Sequence, residues 1–291
     1  MPIPPANRTS ATTPPLPSAE EQAARAGLVP ARNRAPVVLE RKPWSALAPD
    51  FYRSWSKDEH GKYQPEHLEI LGQSGSGKSF WITQILVHMA RLRKSTIIYI
   101  ATKQADSTIA QLGWPVTDSV REVDQHDQVI FWPRTGKTGR ARKAYQAAKI
   151  QELLDHLWQP DANVILVFDE IATVCALDAD VRATVEMYLR EGRSHGIVIV
   201  MGKQRGQKIL PDMHSESAWI VVFHLKTLTD REYAAGLLGG KTEWLPAIES
   251  LSKEKHEFII QHQATDTQYI SWIDKPVDVR AVSKSNSGYR R

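Results

Sequence analysis

The 291-residue sequence is 42% hydrophobic, which is enough for one substantial core and compatible with one or two domains. Its 37 lysine and arginine residues against 33 aspartate and glutamate residues give a formal net charge of +4, a balance that permits contact with nucleic acid without requiring it. The single cysteine, Cys175, excludes a disulfide within the chain and a cysteine-based metal site.

The amino-terminal part of the chain differs in composition from the rest. Residues 1–36 are rich in proline, alanine, serine and threonine and contain no aromatic residue, so we expect a disordered tail. Residues 37–64 carry four aromatic residues from Trp44 to Trp55, which predict a lead-in segment that packs on the core or on a neighbouring subunit. No secretory signal is recognisable, and no apolar run approaches the roughly 20 residues of a transmembrane helix. We therefore expect a cytoplasmic protein that is not an integral membrane protein.

From residue 65 onward, strand-like and helix-like patterns alternate, which is typical of an α/β domain around a mainly parallel sheet. Apolar runs predict strands at 67–72, 96–102, 128–133, 163–168, 196–204 and 218–225. Helical periodicity predicts helices at 78–94, 144–158, 178–192 and 230–239, and the runs 256–262 and 268–273 predict a closing hairpin. We assign residues 65–275 to this domain and residues 276–291 to a basic carboxy-terminal tail.

The stretch GQSGSGKS, from Gly72 to Ser79, matches the phosphate-loop pattern G-x-x-x-x-G-K-[ST] and lies between a predicted strand and a predicted helix. Glycines let successive backbone N–H groups surround phosphate oxygens, and the helix N-terminus adds a positive potential. We expect Lys78 to contact the phosphates and the Ser79 hydroxyl to ligate Mg²⁺. The residues expected to bind the nucleotide are Gly72, Gln73, Ser74, Gly75, Ser76, Gly77, Lys78, Ser79 and Phe80.

Two adjacent carboxylates follow the apolar strand predicted at 163–168. Because the carboxyl ends of parallel strands meet at one edge of a sheet, Asp169 and Glu170 should lie beside the phosphate loop. Asp169 is placed to hold the Mg²⁺ shell. Glu170 could orient and deprotonate a water molecule for in-line attack on the γ-phosphate. The pair therefore predicts hydrolysis of the bound nucleotide.

The segment LREGRSHGIVIVMGKQR, residues 189–205, supplies a third group of polar residues. Gln204 follows a predicted buried strand and could place its amide near the γ-phosphate. Arg190 and Arg193 could stabilise the transferring phosphoryl group of an adjacent subunit. A GTPase is disfavoured, because the string from Thr102 to Asp106 places its acid one residue too late for the [NT]KxD motif.

With these motifs, the chain resembles the FtsK/HerA superfamily of P-loop ATPases, which pump DNA. The resemblance rests on GQSGSGKS, VILVFDE and EGRSHGIVIVMGKQR and spans residues of about 65 to 275. It implies an α/β P-loop NTPase fold of the RecA/FtsK-like, additional-strand, catalytic-glutamate type, with helices on both faces of a mainly parallel sheet. The implied activity is ATP hydrolysis with Mg²⁺ that drives translocation of double-stranded DNA.

The resemblance also assigns roles to individual residues. It implies that Lys78 and Ser79 bind nucleotide and Mg²⁺, that Asp169 completes the metal site, and that Glu170 is the catalytic base. Gln204 corresponds to the polar sensor, and Arg193, at the Gly-Arg position, to the arginine that acts across subunits. The implied assembly is a homo-oligomeric ring, a hexamer or a pentamer, with a portal or a transfer complex as a further partner.

The sequence shows no recognisable transmembrane helix and no recognisable winged helix. Both observations favour a compact motor for viral genome packaging or for plasmid or conjugative DNA transfer. Such a motor would work in the cytoplasm, the host's if it is viral, or associate with the virion. Its pore should grip phosphates through lysine and arginine side chains on loops. The first candidates are Arg134, Lys137, Arg140, Arg142 and Lys143, and the second group is Lys203, Arg205 and Lys208.

Two other functions remain open at this point. A P-loop phosphotransferase acting on a nucleoside or a small molecule could use RTGKTGRARK, residues 134–143, as an arginine-rich lid. An ATPase that drives assembly of a secretion or pilus machine would show turnover that is independent of DNA.

Overall fold

A computed structural model of the chain describes residues 35–55, 66–207, 209–210, 212–265 and 267–279. The chain divides into a unit of Met1–Ala35 and a unit of Pro36–Arg291, and every described helix and strand lies in the second unit. The predicted tail of residues 1–36 lies outside the described residues except for its last two positions. The same holds for the carboxy-terminal tail after residue 279.

The described strands are β1 (Arg41–Pro43), β2 (His67–Leu71), β3 (Thr96–Ile100), β4 (Val116–Thr117), β5 (Gln128–Phe131), β6 (Val164–Phe168), β7 (Val198–Lys203), β8 (Ser217–Phe223), β9 (Phe258–His262) and β10 (Gln268–Trp272). The described helices are α1 (Trp44–Ser54), α2 (Lys78–Arg93), α3 (Ser107–Ala110), α4 (Val120–Val123), α5 (Gly139–Leu157), α6 (Ile171–Cys175), α7 (Ala179–Glu191), α8 (Leu228–Leu237) and α9 (Lys241–Glu249), with a 3-10 turn at Gly192–His195 after α7. None of these helices is long and apolar enough to cross a membrane.

In the described part of the chain, ten strands form one sheet in the order β1-β10-β9-β8-β2-β7-β6-β3-β5-β4. All neighbouring strands from β8 to β4 are parallel. β9 is antiparallel to both β8 and β10, and β1 is parallel to β10. β7 lies between β2 and β6, so one additional strand separates the phosphate loop from the Asp169 strand. The carboxyl ends of β2, β7 and β6 meet at one edge of the sheet.

Helices cover both faces of the sheet, because alternate side chains of each strand point to opposite sides. Ile97 and Tyr99 of β3 join an apolar cluster with α1 and α2, whereas Ile98 and Ile100 join a cluster with α5, α6 and α7. A third cluster places α8 and α9 against β8, β9 and β10. Strands β2, β6 and β7 are buried along their whole length, and for β6 the continuous apolar sequence predicts this burial. The expected α/β architecture is confirmed.

The lead-in segment packs on the core through α1. Trp44 and Phe51 contact Trp81 of α2, with ring centroids 5.4 and 6.0 Å apart. Trp55, at the end of α1, is fully buried. Residues 56–65 lie outside the described residues.

Several elements differ from the sequence predictions. α1 and α9 were not predicted because each contains a proline, Pro49 or Pro246, which is normally a loop signal. α5 begins at Gly139 instead of residue 144. Three of the five basic residues predicted on a pore loop, Arg140, Arg142 and Lys143, therefore lie in the first turns of a helix.

Candidate functional site

The phosphate loop joins β2 to α2, and its backbone requires glycine. Gly75 and Gly77 have φ angles of 77° and 97°, which residues with a Cβ atom rarely adopt. A Cβ atom on Gly77 would also lie 3.0 Å from the Cβ of His256. At the end of β2, the Gly72 N–H donates a hydrogen bond to the Lys203 carbonyl oxygen at 3.0 Å. The loop is therefore held against β7, one strand away.

Three predicted residues meet at the start of α2. The Lys78 Nζ donates hydrogen bonds to the backbone oxygen and to Oδ1 of Asp169, each at 2.7 Å. The Ser79 Oγ donates to the same Oδ1, also at 2.7 Å. Lys78 and Asp169 are both buried. Residues 90 positions apart in sequence therefore form one compact polar group.

This group fits a magnesium ion. The Ser79 hydroxyl and the Asp169 carboxylate offer two oxygen ligands side by side, and Mg²⁺ in nucleotide sites takes one or two protein oxygens together with phosphates and water. Burial opposes ionisation of Asp169, but Lys78 and Ser79 outweigh it and hold the pKa of that carboxyl below its ordinary value. Asp169 is therefore a carboxylate at neutral pH, as a metal ligand must be.

Glu170 lies beside this group with different surroundings. It is half-buried, and its Oε2 has no hydrogen-bond partner within the described chain. Burial raises the pKa of Glu170 and the Asp169 charge adds to this effect, whereas Lys78, Lys103 and the backbone of Gln204 oppose it. This buried oxygen therefore has unused hydrogen-bonding capacity beside the phosphate site.

Gly202 allows β7 to approach the site. A Cβ atom at this position would overlap the Asp169 backbone oxygen and would lie 2.9 Å from the Lys78 Nζ. Two residues later, Gln204 follows the end of β7 and lines the same cleft as Lys78 and Asp169. Close packing of β7 against β6 thus sets the position of Gln204, the predicted sensor.

The cleft above the loop has a volume of about 380 Å³, within the roughly 300–1,000 Å³ of small-molecule sites. Of the predicted nucleotide-binding residues, those that line it are Gln73, Ser74, Gly75, Gly77, Lys78, Ser79 and Phe80. Gly72 and Ser76 are buried within the loop, and a Cβ on Gly72 would approach the Ser76 Oγ to 2.6 Å. Gln73 is fixed by two neighbours: its amide contacts the His224 Nδ1 at 3.2 Å and accepts from the Lys226 N–H at 3.1 Å.

Four further residues line this cleft that the sequence did not assign to it: Lys103, Asp106, Thr108 and His256. The Lys103 Nζ donates to Asp106 at 3.0 Å. The position of Lys103 after a strand that neighbours β6 is a signal that could have identified it. His256 contacts the Ser76 carbonyl oxygen at 3.2 Å from a loop 180 residues later, and no local pattern marks it.

Arg190 and Arg193 lie at the other edge of the sheet. Both precede β7, whereas Gln204 follows it, and the six residues of β7 span about 20 Å. Arg193 forms an ion pair with Glu216 at 2.7 Å, and Arg190 pairs with Asp212. Neither arginine is brought together with Lys78 or Glu170 of the same chain.

The first group of predicted DNA-contacting residues follows β5 at the edge that carries the phosphate loop. Arg134, Lys137, Arg140 and Lys143 are exposed, and the Arg134 guanidinium lies 3.6 Å from the centroid of the Trp132 ring. Arg142 is half-buried and donates to the Thr102 carbonyl oxygen at 2.6 Å. Arg142 therefore also ties α5 to the loop after β3.

The assignment of Lys203 to the second DNA-contacting group is wrong. Its side chain is 1% exposed and forms an ion pair with Glu69 of β2, which is equally buried. The Lys203 Nζ also donates to the Tyr233 hydroxyl at 3.1 Å, and His214 lies 3.4 Å from Glu69. Arg205 is exposed, and Lys208 lies outside the described residues.

No protein-family model matches the chain, and no curated protein matches it in sequence. Solved structures do match. The genome packaging NTPase B204 from Sulfolobus turreted icosahedral virus 2, in complex with sulfate, is 15% identical, covers 74% of this chain and 98% of its own, and has a TM-score of 0.56. B204, the DNA-packaging ATPase from Sulfolobus turreted icosahedral virus, is 17% identical over 74% of this chain and 99% of its own, with a TM-score of 0.55.

A third similar structure is the cytoplasmic domain of the Type VII secretion ATPase EccC from Thermomonospora curvata. It is 15% identical over 81% of this chain and 29% of its own, with a TM-score of 0.52. Structural similarity at sequence identities this low establishes a shared fold and nothing further. The fold is that of P-loop NTPases, and the resemblance drawn from the sequence motifs is confirmed at that level.

Proposed function

We propose that the chain is an ATP-hydrolysing motor that translocates double-stranded DNA, for viral genome packaging or for plasmid or conjugative transfer. The observation that carries the proposal is the meeting of Lys78, Ser79, Asp169 and Gln204 in one cleft. Glu170 follows Asp169 directly and interacts with the Lys78 charge and the Gln204 backbone. A phosphate loop alone indicates binding of a triphosphate. A second carboxylate beside the loop, Glu170, supports hydrolysis of the bound triphosphate, because it could act as the general base.

Each residue has a distinct role in this mechanism. The Lys78 ammonium, which contacts Asp169 here, supplies positive charge to the β- and γ-phosphates. Glu170 orients the attacking water and accepts its proton. The Gln204 amide, in the same cleft, responds to loss of the γ-phosphate. Ser79 and Asp169 would hold magnesium, which would neutralise charge on the phosphates.

A DNA substrate is supported by the fold shared with viral packaging NTPases and by the exposed basic group after β5. Contacts connect that group to the nucleotide cleft. Arg142 and Gln146 both donate to the Thr102 carbonyl oxygen, and the Trp132 indole N–H donates to the Lys103 carbonyl oxygen at 2.6 Å. A movement of Lys103 that accompanies nucleotide binding would therefore be transmitted to α5, the helix that carries Arg142 and Gln146.

A ring of subunits is supported by the position of Arg193. Because about 20 Å of sheet separates it from the cleft of its own chain, it can stabilise a transferring phosphoryl group only on a neighbouring subunit. In a hexamer or a pentamer, each Arg193 would lie at the interface with the neighbouring subunit.

The direct test is ATP hydrolysis by the full chain, with and without double-stranded DNA. We expect DNA to stimulate turnover of the wild type. Glu170→Gln should bind ATP but lose turnover by roughly 10²–10⁴-fold, the usual contribution of a general base. Glu186→Gln, which changes a carboxylate of α7 paired with Arg182 on the surface, is the matched control and should retain turnover. Near-normal turnover of Glu170→Gln would contradict the assignment.

A second candidate is an ATPase that moves protein, because the fold is also shared with a secretion ATPase. Turnover that does not respond to DNA but rises with a peptide substrate would favour this alternative. A P-loop phosphotransferase, the remaining alternative, would be monomeric or dimeric, so a native mass corresponding to a ring of five or six subunits would oppose it.

A further inference from the structure

Helix α8 holds the chain on both sides of Gln204. On the amino-terminal side, the Lys203 Nζ donates a hydrogen bond to the Tyr233 hydroxyl at 3.1 Å. On the carboxy-terminal side, the Gly206 N–H donates to Asp230 Oδ1 at 2.6 Å. Asp230 and Tyr233 are three residues apart in α8 and therefore lie on one face of the helix. One helix face thus contacts the residues that flank Gln204.

Gly206 lies against α8 at a distance that excludes a side chain. A Cβ atom on Gly206 would lie 2.8 Å from the Cβ of Tyr233, 2.9 Å from the Cα of Asp230 and 3.0 Å from the Asp230 backbone oxygen. Two of these three atoms belong to the helix backbone, which cannot turn aside as the end of a flexible side chain can. The glycine therefore allows the close approach in which its N–H reaches the Asp230 carboxylate.

The carboxylate of Asp230 is not the group that caps α8. The helix begins after Thr227, whose hydroxyl oxygen accepts a hydrogen bond from the Asp230 N–H at 3.1 Å. The Thr227 hydroxyl in turn donates to Asp230 Oδ2 at 2.6 Å, which orients the carboxylate. The other oxygen, Oδ1, accepts from Gly206. Thr227 therefore caps the helix, and Asp230 joins the helix to the loop after β7.

The segment that leads into α8 also contacts the phosphate loop. The His224 Nδ1 lies 3.2 Å from the side-chain nitrogen of Gln73, and the Lys226 N–H donates to the side-chain oxygen of Gln73 at 3.1 Å. Gln73 and Gln204 line the same cleft. Residues 224–233 therefore contact the phosphate loop at one end and the loop of Gln204 at the other.

We propose that Asp230 is a positioning residue that holds Gln204 in a fixed place relative to the phosphate loop. The inference rests on the proposed ATPase function and goes beyond it by assigning a role in the reaction to a residue of α8. Gln204 lines the nucleotide cleft, and its backbone interacts with the Glu170 carboxyl group. Displacement of the loop would move both groups, so loss of the Asp230 contact should slow hydrolysis.

Binding of ATP should not depend on the same contact. The side chains of Lys78 and Ser79 are held by Asp169, and none of these three residues contacts Asp230 through a hydrogen bond in the described part of the chain. The phosphate-binding groups should therefore stay in place when the Asp230 carboxylate is removed. A selective effect on turnover distinguishes a positioning role from a general loss of structure.

The test separates turnover from binding. The kcat and KM for ATP are measured on the full chain with magnesium and double-stranded DNA, and the dissociation constant for ATP is measured by calorimetry in the Glu170→Gln background, which prevents hydrolysis. Asp230→Ala should lower kcat roughly 10- to 100-fold, the cost of a misplacement of about 1 Å, and should leave KM and the dissociation constant unchanged. Asp230→Asn keeps an oxygen that can accept from Gly206 and should restore most of the lost kcat.

Thr227→Ala is the matched control, because it removes the cap of α8 and leaves the acceptor for the Gly206 N–H. It should lower the urea midpoint of unfolding and keep kcat near that of the wild type. A double variant tests whether Asp230 acts through Gln204. If it does, Asp230→Ala combined with Gln204→Ala should lower kcat by less than the product of the two single effects. Gly206→Ala should displace the same loop and reproduce the loss of kcat, so the test remains possible if Asp230→Ala does not fold.

Three results would overturn the role of Asp230. The kcat could be that of the wild type in Asp230→Ala or in Gly206→Ala, it could fall equally in Thr227→Ala, or the two single effects could multiply fully in the double variant. Each result would leave the proposed ATPase function intact, because the wild type would still hydrolyse ATP. Absence of hydrolysis in the wild type would overturn the ATPase function and the role of Asp230 together.

Discussion

At the scale of single residues, a small number of contacts determine the chemistry of the site, and Gly202 is the least conspicuous of them. Its position on β7 lets the strand pass close to the Asp169 backbone and the Lys78 ammonium. Nothing in the apolar run 196–204 marks Gly202 as special. Only the pairing of β7 between β2 and β6 shows why a side chain cannot be accommodated there.

Gly202→Ala should therefore displace β7 or the Lys78–Asp169 pair. We expect a loss of about 1–3 kcal/mol in the free energy of unfolding, the usual effect of overpacking, and a weaker affinity for ATP. Gly236→Ala is the matched control, since a Cβ atom at this position in α8 would meet nothing within 4 Å. That variant should gain about 0.5–1 kcal/mol from improved helix propensity. Urea unfolding and ATP titration measure both effects. Wild-type stability and affinity in Gly202→Ala would refute this explanation.

At the scale of secondary-structure elements, β2, which precedes the phosphate loop, and β7, which precedes Gln204, are joined by a buried ion pair. Glu69 of β2 faces Lys203 of β7, between the apolar clusters that cover this face of the sheet. Burial acts to raise the pKa of Glu69, but Lys203 and His214 outweigh it and lower the pKa below its ordinary value. The stabilisation from Glu69 is therefore present above the pKa of the unfolded chain and is lost as pH falls through the lowered folded pKa.

Lys203→Met should leave Glu69 buried without its principal partner. We expect a loss of about 3–5 kcal/mol at neutral pH, typical of breaking one half of a buried pair. The double variant Lys203→Met with Glu69→Leu should recover most of this loss, because no uncompensated charge remains. Lys241→Met, which changes a lysine that is 66% exposed, is the control and should change stability little. Urea unfolding at neutral pH gives the comparison, and a single variant as stable as the double variant would count against the pairing.

At the scale of the whole molecule, local patterns predicted the α/β class and most central elements, because buried parallel strands and the phosphate loop have strong sequence signatures. The meeting of Lys78 with Asp169 also followed from strand topology. Contacts between residues far apart in the sequence could not be predicted from local patterns. His256 approaches the loop from 180 residues away, and Val277 is held by Gln84. Lys203 was wrongly predicted to be an exposed, DNA-contacting residue, because the sequence around it does not show that Glu69 is its buried partner.

The central claim is that the protein uses ATP hydrolysis to move along double-stranded DNA. This movement can be measured directly. The assay follows displacement of a third strand bound to one end of a linear duplex while the protein consumes ATP. The wild type should displace the strand only when ATP and magnesium are present, with a delay that grows with the length of DNA before the third strand. Glu170→Gln should bind ATP and leave the strand in place. Robust ATP hydrolysis by the wild type without any displacement, at any duplex length, would contradict the claim that this protein is a DNA translocase.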